Sequence, residues 1–317
     1  MVLSASLTCI AWSEGQTAGL AAANAALQEG NADKALAILQ SLSQPASTSA
    51  ESHNLRCRVL LTVENWDGAG SECEQAVSLE GQNSDYHLWF GRTLGERAER
   101  ASFVTAFSLA KRTRAEFELS VQLNPRNAEA LADLGEFYNS APGVVGGGTD
   151  KAEGVASQLD NVDPARAAQL RAVIAEGHKD YVTAENRFRQ AIAVSAHPSF
   201  QWMSLASFYR RRERWTEMES AVESGANAAE HDKHAGVALF NGASVLIKSN
   251  RNPALAAGLL ETYVSGNSKT EEAPALVAHV WLARLYAQRG DTAGVRRERE
   301  AALSLASGYK PAEDLKN

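Results

Sequence analysis

Small residues recur along this 317-residue chain at an interval that limits what the chain can fold into. Successive members are separated by 34, 34, 44, 37, 34, 36 and 41 residues, and they are Ala23, Cys57, Gly91, Gly135, Ala172, Ala206, Gly242 and Ala283. Around several of them, large apolar residues share one face of a helix, as in Leu131-x-x-Leu134-Gly135-x-x-Tyr138. An irregular helical bundle gives no reason for a repeated interval of 34, so the pattern predicts a series of similar helical units.

A second helix follows in each unit. Twelve positions after the first small residue, four units carry another small or apolar residue, at Ala35, Ala69, Ala184 and Met218. Turn sequences lie between the two helices at residues 29–33, 177–180 and 289–291, where Gly comes before Asn or Asp. Gly accepts the left-handed conformation that ends a helix, and Asn or Asp caps the next one. With 56 alanines and only 8 prolines in the chain, each unit is predicted to be a helix, a tight turn and a helix.

These units resemble the tetratricopeptide repeat, whose 34 residues read W-x2-L-G-x2-Y, then A-x3-F-x2-A, then P. The match is clearest around residues 131–164 and 202–225. The resemblance implies an all-α, right-handed superhelical solenoid of about eight hairpins, in which each unit buries its apolar face against its neighbours. It also implies that the first helices line a long concave groove. We expect the solenoid to span residues 14–308, after a signal-like segment at 1–13 and before a C-terminal tail at 309–317.

Two insertions interrupt the predicted array. The first, near residues 96–112, is predicted to lengthen a hairpin, with Phe103 and Phe107 packed inward and the charged residues facing water. The second, residues 141–150, contains four glycines but departs from the nucleotide-binding Gly-x4-Gly-Lys-Ser/Thr pattern, because Thr149 and Asp150 follow Gly148. It is similar to loops of some bacterial tetratricopeptide proteins. We expect an ordered lid over the groove, with Thr149 or Asp150 capping the next helix.

The composition of the chain and its lack of known catalytic motifs favour a protein without catalytic chemistry. The net charge is −7, with 31 basic and 38 acidic residues, which argues against a nucleic-acid binder. His231 and His234 lack a third ligand at a usual metal spacing, and no hydrolase or dinucleotide motif is present, so we expect neither metal nor cofactor. Cys57 and Cys73 fall on facing helices; small buried thiols are the favoured interpretation, and pairing in an oxidising compartment stays open.

The groove positions of the family map onto the exposed first-helix residues of this chain. They are Arg58, Arg92, Glu136, Asn139, Glu176, Arg210, Arg211 and Arg284. Arginines on successive units could clamp the carboxylates of an acidic peptide or a C-terminus, although ordinary solvated side chains would give the same pattern. Apolar anchors near the groove are expected at Phe200, Met203, Leu246 and Ile247, unless these residues are buried in the core.

The sequence thus predicts a non-enzymatic scaffold that binds a protein partner, a peptide or a helix, in its concave groove. One alternative is a small-molecule binder or enzyme with its site under residues 141–150. Another is an array that assembles with itself through exposed apolar residues of the last helix, around Leu303 and Leu305. The N-terminal apolar run is shorter than the ~20 residues that span a bilayer, so no transmembrane segment is expected. Because this run lacks a basic start, export and a cytoplasmic location both remain open.

Overall fold

A computed structural model describes residues 5–230 and 232–315, with side chains from residue 17 onward. Two predictions depend on side chains that the structure does not describe. They are the signal-like segment at residues 1–13 and the absence of a metal site at His231. Within the described ranges all regular structure is helical, which confirms the all-α prediction. No helix in those ranges is long and apolar enough to cross a bilayer.

Within the part of the chain that the structure describes, the helices form eight consecutive antiparallel hairpins followed by a short last helix. The first four hairpins are α1 (Ala5–Gln28) with α2 (Ala32–Ser41), α3 (Ala50–Thr62) with α4 (Trp66–Leu79), α5 (Ser84–Arg100) with α6 (Phe103–Leu123), and α7 (Ala128–Ser140) with α8 (Thr149–Leu159). The other four are α9 (Pro164–Gly177) with α10 (Tyr181–Val194), α11 (Pro198–Arg211) with α12 (Trp215–Ala229), α13 (Gly236–Ser249) with α14 (Pro253–Ser265), and α15 (Ala275–Gln288) with α16 (Thr292–Leu305); α17 (Lys310–Glu313) ends the array.

The recurring small residues lie where helices approach most closely. All eight are buried, as predicted from their spacing. At Gly135 a Cβ atom would stand 2.3 Å from Cδ2 of Leu170 in the next hairpin, and at Gly91 it would stand 2.5 Å from the ring of Phe117. Real Cβ atoms do not come this close to another heavy atom, so small residues allow the close packing of helices within a hairpin at Gly91 and between hairpins at Gly135.

Local capping fixes where the second helices begin. Asn31, Asp180 and Asp291 each accept a hydrogen bond from a backbone N–H of the first turn of α2, α10 and α16. Gly30 has the predicted left-handed conformation, with φ at +77°. In the turn at 177–180, however, Lys179 rather than Gly177 has the positive φ, because α9 continues through Gly177.

The two ends of the array meet, which the sequence did not lead us to expect. Helix α2 contacts α16, and one apolar cluster joins Leu27 and Leu39 to Leu276 and Tyr309. Leu303 and Leu305, expected to be exposed for self-association, are partly buried against the same cluster. The residues 309–317, expected as a tail, include the buried Tyr309 and Ala312. The inner surface is therefore bounded at both ends by contacts of the chain with itself.

The first insertion lengthens the hairpin of α5 and α6, which have 17 and 21 residues. The prediction that Phe103 packs inward is wrong, since its side chain is 87% exposed. Phe107 is half-buried beneath the ammonium of Lys111, 4.4 Å from its ring centre. The reason is that the end of this hairpin extends beyond the shorter neighbouring hairpins, so little protein covers it.

The glycine-rich insertion is a compact turn between α7 and α8. A short 3₁₀ helix covers Gly143–Val145, and the N–H of Gly148 donates to the carbonyl of Tyr138 at 2.8 Å. The expected capping by Thr149 or Asp150 is wrong, because Gly148 occupies the N-cap position of α8 and no side chain caps it. At Gly147 a Cβ would lie 1.8 Å from the carbonyl oxygen of Ala141, so the tight path of the backbone requires glycine there.

Cys57 and Cys73 form a disulfide between the two helices of the second hairpin. Both residues are fully buried, with the hydroxyl of Thr93 within 3.7 Å of each sulfur. The favoured expectation of two free thiols is therefore wrong. Their spacing had already placed them on facing helices, which is the geometry that allows a bond.

Candidate functional site

The first helices line the inner surface of the array. Contacts run from α1 to α3, from α3 to α5, and from α7 through α9 and α11 to α13. Five of these helices, α1, α3, α5, α7 and α9, contribute to a cavity of about 1030 Å³. The connections between helices complete the wall, with Arg126 and Asn127 before α7, Asp163 before α9, and residues 270–272 between α14 and α15.

Two of the predicted arginines meet on this surface around one indole ring. The guanidinium of Arg58, on α3, lies 5.1 Å from the ring centre of Trp89, and that of Arg92 lies 4.8 Å from it. Trp89 and Arg92 share a face of α5 because they are three residues apart. The cation–π contacts restrict both guanidinium groups.

Each of the two arginines holds carboxylates. Nε of Arg58 donates to Glu271 at 2.8 Å, and Nη2 makes a second bond to the same carboxylate. Arg92 binds Asp133 at 2.6 Å and Glu129 at 3.1 Å, and it reaches Glu272 at 3.6 Å. These two arginines thus hold carboxylates of the chain itself, and the expected contacts with the carboxylates of a partner stay a prediction.

The carboxylates around Arg92 are crowded. Burial raises the pKa of Asp133, and Arg92 offsets only part of that effect. Burial, and then the charge of Glu129, raise the pKa of Glu272. Glu136 is open to solvent by surface area but recessed in the concave wall, where desolvation and then Asp133 raise its pKa. The raised pKa values of these three carboxyl groups favour their neutral forms, which limits the negative charge around Arg92.

The remaining predicted site residues do not join the group around Trp89. Glu176 accepts two hydrogen bonds from Arg211, at 2.8 and 2.7 Å, which links α9 to α11. Arg210 lines a separate cavity of about 210 Å³ together with Lys248. Asn139 is half-buried on α7, and Arg284 is exposed on α15.

The expected apolar anchors divide between the core and the inner surface. Met203 and Leu246 are fully buried, so the alternative of core burial applies to them. Ile247 is partly buried against the same core cluster. Phe200 lines a cavity of about 190 Å³ together with Glu136, and Met203 also borders the cavity of about 210 Å³ that contains Arg210.

Metal-binding geometry and the glycine-rich segment offer little chemistry. The described residues contain no group of three or more His, Cys, Asp or Glu side chains that could hold a metal ion. Near the glycine turn, Nζ of Lys151 donates to the carbonyl of Gly146, and Arg114 packs against Gly146. The 1030 Å³ cavity has no lining residue from 141–150.

Five residues of the site were missed by sequence reasoning, namely Trp89, then Glu129 and Asp133 of α7, and the acidic pair Glu271 and Glu272. Trp89 could have been found, since it lies one turn before Arg92 on the same helical face. The acidic pair had a weaker signal in the interval of 41 residues between Gly242 and Ala283, which leaves extra chain between α14 and α15. This extra chain turns toward the inner surface in an array whose two ends meet. No local sequence pattern encodes that meeting of the ends.

Comparison with known proteins gives structural likeness only. No family model and no curated protein matches the chain. The MamA protein is similar at a TM-score of 0.43 and 17% identity, over 57% of this chain and 92% of MamA. The C-terminal part of a TPR repeat-containing protein from Cytophaga hutchinsonii is similar at 0.43 and 14%, over 94% and 99%. The pilF protein of Pseudomonas aeruginosa is similar at 0.37 and 13%, over 73% and 95%.

All three of these proteins are distant from this chain in sequence. Its own hairpins are sufficient for the fold, because the small residues that recur in the sequence are the ones buried between consecutive helices. The chain therefore has a tetratricopeptide-like fold of eight helical hairpins.

Proposed function

We propose that this protein is a non-enzymatic scaffold that binds a peptide or a partner helix on the inner surface of its array. The binding centre is Trp89 with Arg58 and Arg92, and the favoured partner presents carboxylates. The proposal includes no nucleic acid and no cofactor. Self-association through the last helix is not part of it, since Leu303 and Leu305 pack against the N-terminal hairpins.

The observation that carries this proposal is the occupied state of the two arginines. A non-helical stretch of the chain lies on the inner surface, and its Glu271 carboxylate is held by two bonds from Arg58. The Arg58 and Glu271 side chains are only 15% and 7% exposed. Arginine presents paired donors in a planar fork that matches a carboxylate, so a partner's carboxylate would find the same geometry.

Rigid support distinguishes these arginines from solvated surface residues. Arg58 also donates to the amide oxygen of Asn24 on α1, at 3.1 Å, and stacks on Trp89 of α5. It is thus fixed by the helices of three successive hairpins. Because this order exists before any partner arrives, binding costs less side-chain entropy than it would with free arginines.

The disulfide supports a place for the protein in an oxidising compartment. Such bonds persist in secreted and periplasmic proteins and are rare in the cytosol. We therefore favour export over a cytoplasmic location, and N-terminal sequencing of the protein from its native host would test this.

The scaffold proposal is tested by affinity purification from the native host followed by direct binding of each identified partner. Arg92→Gln is the test variant and Arg251→Gln the control, since Arg251 pairs with Glu219 away from Trp89. We expect a defined partner to bind purified wild-type protein and the control equally. Binding to Arg92→Gln should be weaker by about tenfold or more, as expected for a lost charge-assisted pair. Equal binding to all three proteins would refute recognition by this site.

A further inference from the structure

The connection between α14 and α15 is longer than its position in the array requires. It covers residues 266–274, here called the inner segment. Three or four residues join α4 to α5, α6 to α7, α8 to α9 and α10 to α11, six join α12 to α13, and eight join α2 to α3. The additional residues do not extend a helix. They run along the inner surface instead, where residues 270–272 line the central cavity.

The base of the inner segment is fixed to its own hairpin. The hydroxyl of Tyr263 accepts a hydrogen bond from the N–H of Thr270 at 3.2 Å and donates to the carbonyl of Ala273. The N–H of Ala273 donates to the carbonyl of Thr270 at 3.2 Å, which closes a tight turn. Glu271 and Glu272 stand at the tip of this turn, so the hairpin presents two adjacent carboxylates to the opposite wall.

The tip is held to the opposite wall through polar contacts. Glu271 binds Arg58 and accepts a bond from Nε2 of Gln28 at 2.7 Å. Glu272 reaches Arg92 at 3.6 Å, but Arg92 is shared with Asp133 and Glu129. One carboxylate is therefore well satisfied, and the other competes for a cation that already has two partners. Contacts of this kind can be exchanged for equivalent ones without exposing apolar core.

We propose that the inner segment is a built-in competitor, which occupies Arg58 and Arg92 until a partner segment with two adjacent carboxylates displaces it. This inference rests on the proposed function and specifies its partner. A partner must compete with a tethered ligand, whose effective concentration is typically millimolar for a short connection. The apparent affinity of the scaffold is accordingly its intrinsic affinity multiplied by the fraction of molecules in which the inner segment is displaced.

The test uses the full chain and a fluorescent peptide with the sequence of residues 268–274, Ser-Lys-Thr-Glu-Glu-Ala-Pro. The test variant is Glu271→Gln with Glu272→Gln, which removes the competing charges. The control variant is Glu300→Gln with Glu313→Gln, which makes the same change in net charge at two exposed positions. Fluorescence anisotropy gives the dissociation constant of each protein.

We expect the test variant to bind the peptide about tenfold or more tightly than wild type and control, because the occupied fraction is removed. Equal affinity for all three proteins would overturn the inference and leave the scaffold function standing. Absence of binding to any of them would overturn the carboxylate recognition on which both proposals depend.

A second measurement on the wild-type protein needs no variant to fold. Excess peptide should raise the hydrogen–deuterium exchange of the amides of residues 267–273, since displaced backbone loses its protection. The same peptide with both glutamates replaced by glutamine should leave that exchange unchanged. Unchanged exchange at peptide concentrations that saturate the anisotropy signal would show binding elsewhere and overturn the inference.

Discussion

Replacing Tyr309 with alanine is expected to loosen the first hairpins of the array, although Tyr309 lies 245 residues along the chain from its hydrogen-bond partner Glu64. Tyr309 is 3% exposed and belongs to the apolar cluster that joins both ends. Its hydroxyl donates to the Glu64 carboxylate at 2.9 Å. In a linear array, the loss of a residue near one end would affect only its neighbours there.

The size of the effect follows from these two kinds of contact. Removing a buried aromatic side chain costs about 3–5 kcal/mol through lost burial and the cavity left behind. Tyr309→Phe keeps the ring and loses only the bond to Glu64, whose carboxylate is exposed and regains water; this should cost about 0.5–1.5 kcal/mol. Each 1.4 kcal/mol is a factor of ten in an opening equilibrium, so the alanine variant should open at least about a hundredfold more often.

Native-state hydrogen exchange measures this opening helix by helix. Faster exchange is expected in α2 and α3 of Tyr309→Ala, a smaller change in Tyr309→Phe, and none in α9 and α10. Lys310→Ala is the matched control, because Lys310 is the exposed neighbour in the sequence. If faster exchange is confined to α16 and α17, the two ends are not joined energetically and the reasoning is wrong.

Three further predictions concern the core, the inner wall and the disulfide. Gly135→Ala should lower the free energy of unfolding by about 1–3 kcal/mol in denaturant, because its Cβ meets a leucine side chain of the next hairpin. The control Gly154→Ala has no atom within 4 Å of the added Cβ, so it should be neutral or stabilising by up to about 1 kcal/mol. Burial and a neighbouring carboxylate raise the pKa of Glu136 in the folded protein. The protonated side chain is therefore compatible with the fold, whereas the ionised side chain destabilises it, and stability is lost as pH rises through the raised pKa. Glu136→Gln should therefore raise the melting temperature at pH 7, with a gain that shrinks toward pH 4; no gain at pH 7 would contradict this. Thiol labelling of the denatured, unreduced protein followed by mass spectrometry should leave Cys57 and Cys73 unmodified, and alkylation of both would exclude the disulfide.

Local and repeated features of the fold were predictable because they depend on neighbours in sequence. The spacing of Gly91, Gly135 and Ala206 predicted where helices pack closely, and Asp180 and Asp291 predicted where second helices start. Each of these features is set by contacts within one unit or between adjacent units.

Long-range features were not predictable, because they do not depend on neighbours in sequence. The meeting of the ends depends on the sum of small rotations over eight units, and no motif around Leu276 or Tyr309 reports that sum. The placement of Glu271 on Arg58 follows from it, since the two residues are 213 positions apart. The sequence therefore supplied the arginines of the candidate site but left unknown the carboxylates that they hold.

A double-mutant cycle tests most directly whether the acidic inner segment occupies the arginines of the inner surface. Arg58→Gln, Glu271→Gln and the double variant are compared with wild type through the exchange-derived free energy of opening of α3. A bidentate pair with side chains 15% and 7% exposed should give a coupling energy above about 1.5 kcal/mol. Additive effects, within about 0.5 kcal/mol, would contradict the contact and with it the account of the inner surface.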